Sequence, residues 1–164
     1  MSHRVLITGH REIGAGTRAW VESEIRKLFK KLLKTKDVYI YSGLSQGVEI
    51  TCAKQAIEVG IPVLGCIPYE DFNYKFPSYD MQMYREVIPK LEFLKIVDKK
   101  GSYECYRKRT LYLVHQSSSL AGFWDKKEEY TGSYFSLFLR TWKGRGYEVY
   151  HYNPISKTSI SSVS

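Results

Sequence analysis

Three apolar, largely β-branched runs are separated by two helical patterns within the first 67 residues, and this alternation restricts the chain to a narrow set of folds. Val5-Leu6-Ile7 is too short for a helix and stops at Gly9-His10-Arg11, with Gly14 and Gly16 beyond. From Thr17, a suitable N-cap, Val21, Ile25, Leu28 and Leu32 recur at helical spacing. Val38-Tyr39-Ile40-Tyr41 predicts a second strand, ending in Ser42-Gly43-Leu44-Ser45-Gln46-Gly47. A helix is expected from Val48 to Val59, with Gly60 as its C-cap. Ile61 to Ile67 reads as a buried strand whose proline, Pro62, stands near its start, where a missing N–H is tolerated. Strand-helix steps in succession predict a parallel sheet covered by helices, the α/β class.

Beyond Pro68 the pattern loosens. Tyr69 to Tyr79 interleaves five aromatic residues with Glu70, Asp71 and Lys75 and reads as a loop. A helix is expected from Ser78, broken by Pro89, followed by a strand over Phe93 to Val97 and a helix over Tyr103 to His115. Leu120 to Trp124 predicts a fifth strand, 126–131 a charged loop, 132–143 a last helix, and Tyr147 to Tyr152 a final strand closed by Asn153-Pro154. One domain over 1–154 is expected, with the Ser/Thr-rich segment 155–164 as a disordered tail.

The 164 residues carry 25 basic and 17 acidic side chains, a formal net charge of +8, which suits an anionic partner. Much of the excess falls on Arg26, Lys27, Lys30, Lys31 and Lys34 of the first helix, as a solvated face or as a nucleic-acid contact. Three cysteines at long, unequal spacings fit no disulfide framework and no C-x-x-C motif, which predicts reduced thiols. With no signal peptide and no run long enough to span a bilayer, a cytoplasmic protein without membrane contact is expected. His3, His115 and His151 have no metal-ligand spacing, so neither a metal nor a cofactor is expected.

In open parallel sheets ligands bind outside the carboxyl ends of the strands. Gly9, His10 and Arg11 follow the first strand, Ser42, Gly43 and Gly47 the second, and Thr131-Gly132-Ser133 opens the last helix. Such glycines serve as ordinary turns or expose amides to phosphate. Neither G-x-G-x-x-G nor G-x-x-x-x-G-K-[ST] is present.

Ile7-Thr8-Gly9-His10-Arg11, Ser42-Gly43-x-x-Gln46-Gly47-Val48-Glu49 and Gly60-Ile61-Pro62-Val63 together resemble the YpsA-like branch of the SLOG superfamily, which includes Smf/DprA and the LONELY GUY phosphoribohydrolases. Arg109-Thr110-x-x-Leu113-Val114-x-x-Ser117 is similar to that family's "RN-x-x-MV-x-x-SD" helix, and Thr131-Gly132-Ser133 stands where "GGT" is usual. The resemblance implies a Rossmann-like three-layer α/β/α fold with a mostly parallel central sheet. It also implies a pocket for a nucleotide or nucleotide-derived ligand, lined by Gly9, His10, Arg11, Ser42, Gly43, Gly47, Glu49, Arg109, Thr131, Gly132 and Ser133. A homo-oligomer is expected on the same ground.

The chain departs from the phosphoribohydrolase signature "PGG-x-GT-x-x-E", since Ser136 stands where the catalytic glutamate would be. Without that carboxylate an oxocarbenium-like transition state loses a stabiliser unless Glu49 substitutes. The leading expectation is therefore binding of a phosphate- and ribose-bearing small molecule, by a sensor or sequestering module. The alternatives are a nucleotide N-glycosidase using Glu49 and a single-stranded DNA binder, so the question of catalysis stays open. His10 is expected to contact ligand rather than to catalyse. The aromatic loop is expected either to stack a base on Tyr74 or Phe76 or to pack between subunits.

Overall fold

A computed structural model of the chain describes residues 2–35, 37–125 and 148–163. The elements are β1 (Ser2–Gly9), α1 (Ala15–Leu33), β2 (Asp37–Ser42), α2 (Val48–Glu58), β3 (Val63–Tyr69), α3 (Ser78–Val87), β4 (Phe93–Asp98), α4 (Tyr103–Gln116), β5 (Ser119–Phe123), β6 (Glu148–Asn153) and β7 (Thr158–Val163). Among the described residues the strands form one sheet in the order β4-β3-β2-β1-β5-β6-β7, parallel throughout except for β7. This is the parallel α/β architecture that the strand-helix alternation predicts, and it agrees with the Rossmann-like fold that the resemblance implies.

The layers follow from the alternation of side chains along each strand. Val5 and Ile7 of β1 point to the face covered by α1, α2 and α3, where they meet Val21, Ile25, Phe29, Ile50, Ala53 and Met83. Leu6, between them, points to the other face and packs with Leu113 and Val114 of α4. Chain direction across the sheet reverses at β1, whose neighbours are β2 and β5, which is where such a fold opens a crevice. Helix α2 ends as its sequence predicts: Gly60 takes φ +82°, its N–H donates to Ile57 at 3.1 Å, and the Ile61 N–H donates to Ala56 at 2.9 Å, a Schellman closure. Pro89 ends α3 in one short 3-10 turn, Ile88–Lys90.

Three expectations need correction or restriction. Helix α1 begins at Ala15, with Gly14 as N-cap, rather than at Thr17. The helix-disfavoured Gly16 is carried because Arg18 and Trp20 in the first turns are tied to α2, α3, β5 and β6. Residues 158–163, expected to be disordered, form β7 against β6. There Asn153 Oδ1 accepts from the Ile155 and Ser156 N–H groups at 3.0 and 3.2 Å, so Asn153-Pro154 opens a turn into a further strand rather than ending the domain. The helix expected over 132–143 and the loop 126–131 lie outside the described residues.

Phe123 joins the layers at the β5 end. It is fully buried, stacked on Tyr152 with centroids 4.3 Å apart, and meets the edge of Trp20 at 6.1 Å. Phe123→Ala should cost about 3–5 kcal/mol through lost burial and the cavity left behind. Urea unfolding followed by tryptophan fluorescence reads this directly, and a midpoint within error of wild type would contradict the packing.

Candidate functional site

The sheet's carboxyl edge is built around a close approach of two loops. Gly47 has φ +83°, and a Cβ there would lie 2.3 Å from the His10 carbonyl oxygen and 2.5 Å from that of Arg11. A side chain is excluded twice, by the dihedral and by the two carbonyls. In return the Val48 N–H donates to the His10 carbonyl at 3.0 Å and Gln46 Nε2 to the Arg11 carbonyl at 3.3 Å. The Gly47 N–H donates to Asp80 Oδ2 at 2.6 Å, while Asp80 Oδ1 accepts from Arg18 Nη2 at 3.0 Å. Arg18 Nη1 also donates to Thr51 Oγ1 at 2.5 Å, and that hydroxyl donates to the Gly47 carbonyl at 2.7 Å. Asp80 and Arg18 were not among the sequence candidates. An acid in the first turn of a helix is Asp80's whole local signature, and its partners lie 33 and 62 residues away.

This network changes the part played by the α2 N-terminus. The amides of Gly47, Val48, Ile50 and Thr51 all have acceptors within the chain, and Asp80 already supplies a carboxylate to the first of them. These four amides are therefore already satisfied within the chain.

Arg109 of α4 is the most unusual of these. Its side chain is buried, 3% exposed, yet Nη1 donates at 3.2 Å to a neutral acceptor, Ser45 Oγ, and Nε has no acceptor among the described residues. The guanidinium lies 5.3 Å from the centre of the Tyr106 ring. Burial pushes its pKa down, the Glu49 charge pulls it back up, and Arg11 lowers it again. Glu49, in the first turn of α2, is also buried and accepts from Thr8 Oγ1 at 3.2 Å. A Cβ on Gly43 would lie 2.6 Å from Glu49 Oε1 and 3.4 Å from Arg109 Nε, so glycine at 43 lets both charged groups approach the end of β2. The next residue, Leu44, is fully buried at φ +57°, strain of the kind that collects at functional sites, and its N–H donates to Ser42 Oγ at 3.0 Å.

A cavity of about 330 Å³ opens over the ends of β1, β2 and β3. Arg11, Glu12, Ser45 and Gln46 line it together with Tyr69, Phe72, Tyr74, Lys75, Phe76 and Tyr106. Of the sequence candidates, Arg11 lines this cavity. Glu49 and Arg109 lie off its walls, with Arg109 reaching it through the Ser45 hydroxyl. Gly9 packs against the Phe123 carbonyl and Val48, where any Cβ would clash. Ser42, Gly43 and Gly47 shape the loop from below. Thr131, Gly132 and Ser133 lie outside the described residues. A smaller cleft of about 180 Å³ between α1 and β6, lined by Lys27, Lys31 and Tyr150, is remote from these strand ends.

His10 is turned to structural work. It is 8% exposed, its N–H donates to the Phe123 carbonyl at 3.2 Å, and Nε2 accepts the Asp125 N–H at 3.2 Å with the Asp125 carboxylate 3.5 Å away. Burial lowers its pKa below 6.5, against the opposing pull of Asp125. The imidazole is therefore neutral at pH 7 and accepts a hydrogen bond that the imidazolium would lose.

Comparison with known proteins supports the fold. No family model matches the chain, and no curated protein matches it. Among solved structures it is similar to DNA processing protein A (DprA) from Streptococcus pneumoniae, with a TM-score of 0.64 at 14% identity over 91% of this chain and 50% of that one. DprA from Helicobacter pylori, described for its single-stranded DNA binding mode, gives 0.62 at 15% identity over 94% and 70%. TM1055, a structural genomics target, gives 0.59 at 16% over 90% and 72%. The chain thus spans about half of the S. pneumoniae protein. These likenesses agree with the fold that the SLOG resemblance implies.

Two outcomes follow. Gly47→Ala should destabilise the fold by roughly 2–4 kcal/mol, combining left-handed strain with the clash against two carbonyls, and denaturant titration measures it. For His10, both folded and unfolded states are neutral above pH 6.5; as pH falls the unfolded state protonates first, so stability declines from about pH 6.5 downward. His10→Gln, which keeps an acceptor, should flatten that acid slope between pH 6.5 and 5 in urea-midpoint measurements, and an unchanged slope would exclude His10 as its source.

Proposed function

We propose that this chain binds a nucleotide or nucleotide-derived ligand, through its phosphate and ribose, in the cavity over β1, β2 and β3, as a sensor or sequestering module. The observation that carries this reading is Arg109, a buried guanidinium with an unpartnered Nε and a neutral acceptor on Nη1. A buried cation without a hydrogen-bonded counter-charge is expensive, and folds keep such groups where a ligand supplies the missing acceptors. Arg11 and Lys75 line the adjoining cavity and would share the anion, with Arg11 able to bind it bidentately. In this reading the chain is a YpsA-like member of the SLOG superfamily, cytoplasmic and homo-oligomeric.

A strand terminus carries the same phosphate-and-base chemistry as a free nucleotide, and the likeness to H. pylori DprA keeps single-stranded DNA as the second reading. The basic face of α1 supports it less, because Arg26 pairs with Glu58 at 2.7 Å and Lys27 with Glu24 at 3.3 Å. Glycosidic cleavage by Glu49 has weaker support again, since that carboxylate is engaged by Thr8 and lies off the cavity wall.

Calorimetry with nucleoside monophosphates and with a single-stranded oligonucleotide, each at several salt concentrations, separates the first two. Steep salt dependence with the oligonucleotide alone would transfer the function to DNA. Arg109→Met removes the charge at similar length. It should leave the free protein at least as stable as wild type while weakening nucleotide binding tenfold or more. Reduced stability with unchanged affinity would make Arg109 a structural residue and sink the assignment.

A further inference from the structure

The turn between β3 and α3 is more rigid than its irregular sequence implies. Backbone hydrogen bonds from Phe72 to Tyr69 (3.2 Å), Tyr74 to Asp71 (3.2 Å) and Phe76 to Asn73 (3.0 Å) fold it back on itself. The rings of Phe72, Phe76 and Tyr84 then interlock edge to face in a triangle, with centroids 5.5 to 5.8 Å apart, which anchors the turn to α3. Two further lining residues, Tyr69 and Tyr106, meet edge to face at 6.1 Å, and Tyr106 faces the Arg109 guanidinium.

Tyr74 differs from all of these. It is 65% exposed on a fixed turn, lines the cavity, and belongs to none of the interlocked aromatic groups; the Lys75 ammonium lies 5.4 Å from its ring centre. An exposed ring on a hydrogen-bonded turn, lining a cavity that Arg11, Ser45 and Gln46 also line, suits a flat aromatic group attached to an anionic one. Phe76, the other ring of this segment with that potential, is committed to the triangle and forms the wall behind.

We propose that Tyr74 is the base-stacking platform of this site, so that the ligand is recognised through a planar heteroaromatic base at the β3–α3 turn as well as through its phosphate at the arginines. Lys75 flanks the platform and sets the approach of the phosphate. The inference rests on the nucleotide reading above and adds to it a base requirement and the residue that imposes it. A sugar phosphate lacking a base would meet the cations alone.

The test is isothermal calorimetry on the full chain with AMP, CMP, ribose 5-phosphate and inorganic phosphate, using wild type, Tyr74→Ala and Tyr74→Phe. Tyr74 is exposed, so folding of the variants is not at risk. Stacking of one base predicts that AMP binds about 10- to 100-fold more tightly than ribose 5-phosphate. Tyr74→Ala should abolish that advantage without changing ribose 5-phosphate affinity, and Tyr74→Phe, which keeps the ring, should retain it. Equal affinity for AMP and ribose 5-phosphate in wild type, or AMP binding unaffected by Tyr74→Ala, overturns the base platform while leaving the phosphate site intact. Absence of binding by every probe overturns both.

Discussion

The packing of Gly47 against the carbonyls of His10 and Arg11 holds the carboxyl edge of the sheet together. It brings the loop after β1 onto the start of α2, so that one glycine decides the position of Arg11, Ser45 and Glu49 at once. Asp80 closes the arrangement from α3 by accepting the Gly47 N–H and the Arg18 guanidinium, and Arg18 in turn grips Thr51. The bonds are buried or partly so and share members, and removing one leaves the others unsatisfied. The edge therefore behaves as a cooperative unit. Its rigidity allows a strained residue, Leu44, to persist beside it.

Local elements of this kind are written in the sequence where a regular period exposes them. The apolar rhythm of Val21, Ile25, Leu28 and Leu32 predicts α1, and the β-branched runs predict β1 to β3, because burial on one face selects those spacings directly. The hairpin of β6 and β7 was hidden because serine and threonine accommodate both a solvated tail and an edge strand, and what decides is pairing with β6, a tertiary event. Of the candidate residues, Arg11, Glu49 and Arg109 stand near one another at the ends of β1 and β2, but Arg11 alone of the three lines the cavity. Their division into one cavity-lining cation and two buried charges was not legible, because burial depends on the crossing of α4 over β2 and β3, which no local pattern reports. His10 illustrates the same limit. A histidine after the first strand is equally suited to ligand and to scaffold, and the proximity of Asp125, 115 residues away, assigns it to scaffold.

Charge distribution at this edge departs from the usual economy of nucleotide folds, in which a helix N-terminus meets the phosphate through its own amides. Here an internal carboxylate accepts the Gly47 amide and backbone carbonyls accept those of Val48, Ile50 and Thr51, with the dipole of α2 complemented from within by Asp80 and Glu49. The compensating feature is Arg109, delivered by α4 from the opposite face of the sheet. Its cost falls on the protein as a buried charge whose Nε–H has no acceptor among the described residues, and on the proposed reading a bound anion offsets it.

That arrangement also explains why so basic a chain need not be a general polyanion binder. Surface lysines attract any phosphate backbone through released counterions and discriminate little. On the proposed reading, a buried guanidinium beside a cavity of about 330 Å³ takes an anion only if the rest of the ligand fits the cavity that Arg11 and the aromatic turn line. On that reading selectivity comes from shape and stacking at Tyr69, Tyr74 and Tyr106, while the arginines supply affinity common to all phosphates. The net charge of +8 describes how readily anions approach this molecule, and on the proposed reading the carboxyl edge of the sheet decides which of them stay.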